Sequence, residues 1–109
     1  MYISVTGLRF KKPWVLLHFI WHAVRSRRQA AQSKGLISLA TTSRNGIQHT
    51  LTAWESKSDM EAFKYSGAHK RAIQVFRHFF TGKTYRYESE SLPSWDEALR
   101  LLDENGKDY

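Results

Sequence analysis

Two histidines on predicted helices carry the side chains best suited to acid–base chemistry. His69 lies beside an apolar helical stripe, and His22 borders another stripe through its neighbour Trp21. An imidazole has a pKa near neutrality, so either residue could act as a general base on a bound substrate. His69 could also ligate iron. The alternative for His69 is a structural role at the edge of the core, bonded to the backbone or to a helix partner.

His18 and His22 could together supply two metal ligands. They are four residues apart, which places both on one face of a helix. A metal site needs at least one more ligand, and no Asp or Glu lies near the pair in sequence. We therefore predict no metal at this pair, and consider His22 as a pocket wall as well as a candidate base.

Five residues are candidates for binding a substrate: Trp54, Phe63, Trp21, His49 and Arg86. Arg86 points away from Tyr85 and Tyr87 on its strand, where it could bind a carboxylate or phenolate, or could instead be solvated or lie at an interface. His49 shares a strand face with Leu51, so it could reach a pocket or a dimer contact. The aromatic rings could equally be packing anchors, because they bury large areas.

Length and composition limit the class of protein. The 109 residues fit one domain, residues 1–109. Cysteine is absent, which excludes disulfides, thiolate metal sites and Cys nucleophiles. The net charge is +7, but no nucleic-acid-binding motif accompanies it, so we expect no nucleic-acid partner. No apolar run is long enough to span a bilayer, and we expect a cytoplasmic protein.

Hydrophobic periodicity predicts seven main elements. The strands are residues 2–10, 36–43, 47–55 and 83–89, and the helices are 14–34, 57–80 and one that begins after Pro93. Asn45-Gly46 predicts a tight hairpin between the second and third strands. The second helix could begin at Ser56 or at Ser58, because each stands three residues before an acidic residue. Residues 107–109 are expected to form a short tail.

The first helix carries an apolar stripe that is expected to face the core. Its members are Leu17, Ile20 or Trp21, Val24 and Ala31.

The order of elements predicts an α+β fold of the ferredoxin-like type. It is a split β-α-β-β-α-β arrangement, with an antiparallel four-stranded sheet, two helices on one sheet face and an added C-terminal helix. A lone chain of this size should leave the second sheet face uncovered. We therefore predict a homodimer in which two such faces pack together.

The third strand and the following helix carry a family resemblance. Trp54-Glu55-Ser56 closes the strand and Ala62-Phe63 follows in the helix. With the order of elements, this resembles the antibiotic biosynthesis monooxygenase superfamily of dimeric α/β-barrel proteins. Ser66-Gly67-Ala68-His69 is similar to an uncharacterised branch of it, whose members resemble spheroidene monooxygenase in this region.

The resemblance implies a pocket between the sheet and the helices of each subunit. It also implies a choice of chemistries, which include cofactor-free oxidation of aromatic compounds, quinol oxidation and haem degradation. The haem-degrading branch has an iron-ligating His about one helical turn later than His69, and a Trp where Phe63 stands.

We expect a monooxygenase-like protein that oxidises a small aromatic or polyene molecule without a metal cofactor. His69 or His22 would be the base, and Trp54 and Phe63 would shape the pocket. The first alternative is a non-enzymatic module of the same fold that binds a small ligand or acts in regulation. The second is a haem-binding relative with His69 as the ligand.

Overall fold

The structure, a computed structural model, describes residues 1–64 and 80–108, without the side chains at positions 13, 15, 16, 19, 23 and 26. The elements are β1 (Tyr2–Phe10), α1 (Pro13–Ala31), β2 (Leu36–Arg44), β3 (Ile47–Trp54), α2 (Lys57–Lys64), β4 (Phe80–Glu88), α3 (Trp95–Asn105) and β5 (Lys107–Asp108).

The sheet confirms the predicted fold class but has one more strand than expected. Its order is β2-β3-β1-β4-β5, and every neighbouring pair is antiparallel. The predicted four strands take the order expected for the ferredoxin-like fold. The fifth is the segment that we expected to be a tail, because Lys107 and Asp108 pair with Thr84 and Lys83.

Strand β4 begins three residues earlier than predicted. Phe80, expected to end a helix, instead pairs with Phe10, and their ring centroids lie 5.9 Å apart. This edge-to-face contact adds an aromatic cross-strand pair, which stabilises the extended pairing. The helical prediction over 57–80 is therefore wrong at its C-terminal end, and its part from 65 to 79 lies outside the described residues.

The predicted hairpin turn and helix caps are present in the structure. Asn45 and Gly46 both have positive φ, 54° and 76°, as a type I′ hairpin turn requires. The Ser56 hydroxyl accepts a hydrogen bond from the Asp59 N–H at 3.2 Å, so the structure selects Ser56 as the cap of α2. The Ser94 hydroxyl caps α3 in the same way, accepting from the Glu97 N–H at 3.2 Å.

Helices cover both faces of the sheet. On one face, which we call the α3 face, the odd-numbered side chains of β1 and β3 pack against α3. Ala98 and Leu102, one turn apart on α3, belong to one buried cluster with four strand residues: Ile3, Val5, Leu51 and Ala53. The expectation of an uncovered second face is therefore wrong where α3 lies.

The opposite face carries α1 and α2, and we call it the α1/α2 face. Trp54 stacks on Phe63 of α2, and the Gln29 side chain of α1 donates to the Phe63 carbonyl at 3.5 Å. Among the helices described, none is both long and apolar enough to cross a membrane.

The apolar stripe predicted for the core in α1 instead faces solvent. Leu17 is 70% exposed, and Trp21 is 59% exposed. Ala30 is fully buried, and His22 and Gln29 are half-buried, so the sheet lies on their side. The first half of α1 has apolar residues around most of its circumference. Periodicity alone therefore could not select the buried side.

Candidate functional site

The α1/α2 face has a polar floor in the middle of the sheet. Side chains alternate between the faces, so the even-numbered residues of β1, β3 and β4 lie here. The hydroxyls of Thr6 and Thr84 lie 3.3 Å apart, and the Thr84 hydroxyl also donates to the Val5 carbonyl at 3.4 Å. Hydroxyl side chains occupy little volume, and each offers a hydrogen-bond donor and acceptors. This floor could hold a ligand with oxygen atoms.

Trp54 closes one end of this floor. Its ring is fully buried and stacks on Phe63, with centroids 5.3 Å apart and an interplanar angle of 29°. Its indole Nε1–H is nevertheless buried without an acceptor in the part of the chain that the structure describes. A buried donor left unpaired costs roughly 1–3 kcal/mol. A ligand oxygen at this position would recover that cost.

Arg86 supplies a second donor on the same face. In the sheet register, Ser4 of β1 lies between Thr52 of β3 and Arg86 of β4. Strands β3 and β4 are two strand spacings apart, about 10 Å. The Arg86 Nε is buried and has no acceptor within residues 1–64 and 80–108. A guanidinium binds carboxylates and phenolates well, so the part of the floor next to Arg86 favours an anionic group of a ligand.

His22 approaches the same face from α1. It is half-buried and lies two helical turns before Gln29, which contacts α2. Seven residues return to nearly the same side of a helix, so His22 and Gln29 share the sheet-facing side of α1. Trp21 does not share it. Its ring is exposed and lies beneath the Arg25 guanidinium, 5.0 Å from the ring centroid.

His49 lies on the α3 face and is separated by the sheet from Trp54 and Arg86. Its side chain is buried against Gly7, its neighbour across the β1–β3 pair. Burial lowers the pKa of His49, the nearby Thr6 carbonyl raises it, and the charge of Arg44 lowers it again. The lowered pKa favours the neutral imidazole at pH 7.

A groove of about 600 Å³ opens beside His49 and the C-terminal half of α3. Its walls carry both signs of charge, with Arg9, Arg44 and Lys83 facing Asp103 and Asp108. His49 therefore belongs to this groove.

His69 and the Ser66-Gly67-Ala68 motif lie outside the described residues. Within 1–64 and 80–108, no three His, Asp or Glu side chains lie close enough to hold a metal ion.

Sequence reasoning missed the hydroxyl floor and Tyr87. The floor had a signal, because Ser or Thr recurs at the even positions of three predicted strands. Tyr87 packs on the α3 face, and its buried OH has no acceptor among the described residues. Burial, with smaller effects of Glu97 and Tyr85, raises the pKa of Tyr87.

A family model described as a domain of unknown function, DUF3291, matches residues 18–107. The chain belongs to the DUF3291 family. No curated protein matches the sequence of this DUF3291 chain.

Solved structures with the same fold confirm the resemblance to antibiotic biosynthesis monooxygenase-like proteins at the level of fold. A Nitrosomonas europaea protein named "putative antibiotic biosynthesis monooxygenase" is 12% identical, with a TM-score of 0.73 over 84% of this chain and 100% of its own. A Deinococcus radiodurans protein of the same name is 18% identical, with a TM-score of 0.72 over 86% and 97%. SnoaB, a cofactor-independent oxygenase from Streptomyces nogalater, is 10% identical, with a TM-score of 0.68 over 85% and 97%.

Proposed function

We propose that this DUF3291 protein binds a small aromatic or polyene molecule on the α1/α2 face and oxidises it with O2, without a metal or haem cofactor. The observation that carries the proposal is the pair of buried donors, Trp54 Nε1–H and Arg86 Nε–H, above a hydroxyl floor. Both would be paired by one oxygen-bearing ligand. The fold shared with the cofactor-independent oxygenase SnoaB supports this choice of chemistry.

The reaction requires only a base and a site for negative charge. His22 removes a proton from a CH2 carbon that is conjugated with a carbonyl through an aromatic ring, as in an anthrone, and the negative charge moves onto the carbonyl oxygen. Arg86 and Trp54 stabilise that oxygen, because preorganised donors stabilise developing charge. The carbanion then gives its electrons to O2, and the resulting peroxide anion takes the proton back from His22 to form a hydroperoxide. Loss of water leaves a ketone, so one oxygen atom enters the product and the other enters water.

Two substitutions at the floor test ligand binding. Trp54→Phe keeps a ring over Phe63 but removes the N–H, and Arg86→Gln removes the charge. With an anthrone as probe, we expect the Kd to rise about 3–10-fold for Trp54→Phe and about 10–100-fold for Arg86→Gln. The matched controls are Trp95→Phe and Arg100→Gln on α3. Equal Kd values in all four variants would place the ligand elsewhere.

His22→Gln tests the chemical step separately. Loss of a general base typically lowers a rate 10²–10⁴-fold, and we expect O2 uptake to fall while the Kd for the anthrone stays unchanged. His69 is the second candidate base, and His69→Gln is measured in parallel. If the wild-type protein binds the probe but consumes no O2, the function is the non-enzymatic binding module. A Soret band with added haemin, lost in His69→Ala, would instead support the haem-binding relative.

We further infer that the protein is a cytoplasmic homodimer. The groove on the α3 face supports this, because sheet residues such as Ile47 line an open surface there. Sedimentation equilibrium should give twice the chain mass for the wild type. Ile47→Glu should shift it toward the monomer, and a wild-type monomer would contradict the inference.

A further inference from the structure

The outer surface of α1 is unusually apolar. Trp14, Leu17, Trp21 and Val24, which we call the outer α1 stripe, are 53%, 70%, 59% and 50% exposed. Their spacing of three, four and three residues places them in one line about 15 Å long. Ile20 beside them is also 50% exposed. Contiguous apolar surface of this kind marks an interaction site.

The same segment is strongly basic. Lys11 and Lys12 precede α1 and are exposed, and Arg25, Arg27 and Arg28 are exposed near its end. Residues 11–31 contain no Asp or Glu. The Arg25 guanidinium lies over the exposed Trp21 ring. Cations therefore flank the apolar stripe at both ends, with no acidic residue in the segment to balance them.

This charge pattern disfavours a second copy of the chain as the occupant of the stripe. If two α1 helices packed along their stripes in antiparallel fashion, Lys11 and Lys12 of one copy would meet the arginines of the other. Like charges at such a contact repel, and no acidic residue within α1 would relieve the repulsion. A parallel pair would likewise bring identical cations together.

We propose that the outer α1 stripe docks the protein on an anionic lipid bilayer. Apolar residues with Trp enter the boundary between headgroups and acyl chains, while flanking Lys and Arg meet anionic headgroups. Trp suits this position because its ring is apolar and its N–H is polar. The helix lies in the plane of the surface and does not cross it. The inference is independent of the chemistry proposed for the α1/α2 face.

Co-sedimentation of the full chain with phosphatidylcholine vesicles, with and without phosphatidylserine, tests the proposal. We expect binding that requires phosphatidylserine and weakens as salt increases. Leu17→Glu should abolish it, because it places an anion in the middle of the stripe. Leu92→Glu is the matched control, since Leu92 is also a half-exposed leucine, in the segment before α3.

Two double variants distinguish the effect of cations next to the outer α1 stripe from the effect of net charge. Each cation near an anionic surface contributes roughly a five-fold factor in binding. Arg27→Gln with Arg28→Gln should therefore weaken binding roughly 25-fold. Lys57→Gln with Lys107→Gln, with the same loss of charge, should change it little. Circular dichroism checks that each variant is folded.

Three results would overturn the proposal. The first is equal binding to vesicles with and without phosphatidylserine. The second is an equal effect of Leu17→Glu and Leu92→Glu. The third is a fall in the sedimentation mass of the vesicle-free protein on Leu17→Glu, which would identify a second copy as the occupant. Oxygen uptake with dissolved anthrone should be unchanged in Leu17→Glu, so loss of docking and loss of the proposed activity are distinguishable.

Discussion

Gly7→Ala should destabilise the protein, mainly through contact of the new methyl group with His49. A Cβ atom there would lie 2.9 Å from His49 Nδ1 and 3.0 Å from its Cε1. It would also lie 3.2 Å from Ile47 Cγ2. The imidazole is buried, so the new methyl group must either push it toward the groove or strain β1. Gly7 is thus needed for the close approach of β1 to His49.

The expected magnitude follows from two opposing effects. Overpacking in a buried site costs about 1–3 kcal/mol. Replacing Gly by Ala also restricts the unfolded chain, which returns about 0.4–1 kcal/mol. We therefore expect Gly7→Ala to lower the free energy of unfolding by about 1–2 kcal/mol. With an m-value of about 2 kcal/mol/M, the urea midpoint should fall by roughly 0.5–1 M.

A double-mutant cycle identifies the contact that is responsible. His49→Ala removes the ring, so Gly7→Ala in that background should cost much less, because only the contact with Ile47 is left. The coupling energy between the two substitutions should then be about 1 kcal/mol or more. Urea unfolding of the four proteins, with one common m-value, measures it. The same cost for Gly7→Ala in both backgrounds would refute the role assigned to His49.

Three further predictions concern pH, a cap and a turn. The pKa of His49 in the folded protein is below its ordinary value of 6.5, so the unfolded chain binds a proton at His49 more readily. The contribution of His49 to the free energy of unfolding is therefore full above pH 6.5 and declines as the pH falls below it. Urea midpoints should show a smaller loss toward acid pH in His49→Gln, and identical pH profiles would contradict this. Ser56→Ala should cost about 1 kcal/mol because α2 loses its cap, whereas Ser58→Ala should cost almost nothing, and equal thermal shifts would contradict the capping assignment. Gly35→Ala should cost more than about 1 kcal/mol, because φ is +85° and the new Cβ would collide with the Asp59 side chain. Asp59→Ala should recover only part of that loss in urea unfolding, because the positive φ remains, and full recovery would refute the backbone contribution.

Local signals predicted most of the sheet, because their physical causes lie within a few residues. Alternation fixed the strands, and Asn45-Gly46 fixed a hairpin whose two positive φ angles are accessible to those residues. The start of β4 could not be found in this way. Phe80 follows a helical pattern, and its pairing with Phe10, seventy residues earlier in the chain, favours the strand. The two-residue β5 likewise depends on a partner strand rather than on its own sequence.

The part of the candidate site that lies on the strands was predicted, because strand alternation is a local signal. Strand parity places Trp54 and Arg86 on one face and His49 on the other, and stacking on α2 adds Phe63. Which side of α1 meets the sheet depends on packing across the whole layer. The sequence therefore pointed to Trp21, although the structure places Trp21 in solvent.

The central position of β1 makes the protein slow to assemble as it is synthesised. β1 pairs with β3 and β4, and the amino group of Met1 donates to the Ser89 carbonyl at 2.7 Å across 88 positions of sequence. The first of the five strands in chain order is thus completed by the fourth. Contacts so distant in sequence slow folding, because loop closure must precede them. Until β4 emerges, β1 has an unpaired edge, which favours association with other nascent chains.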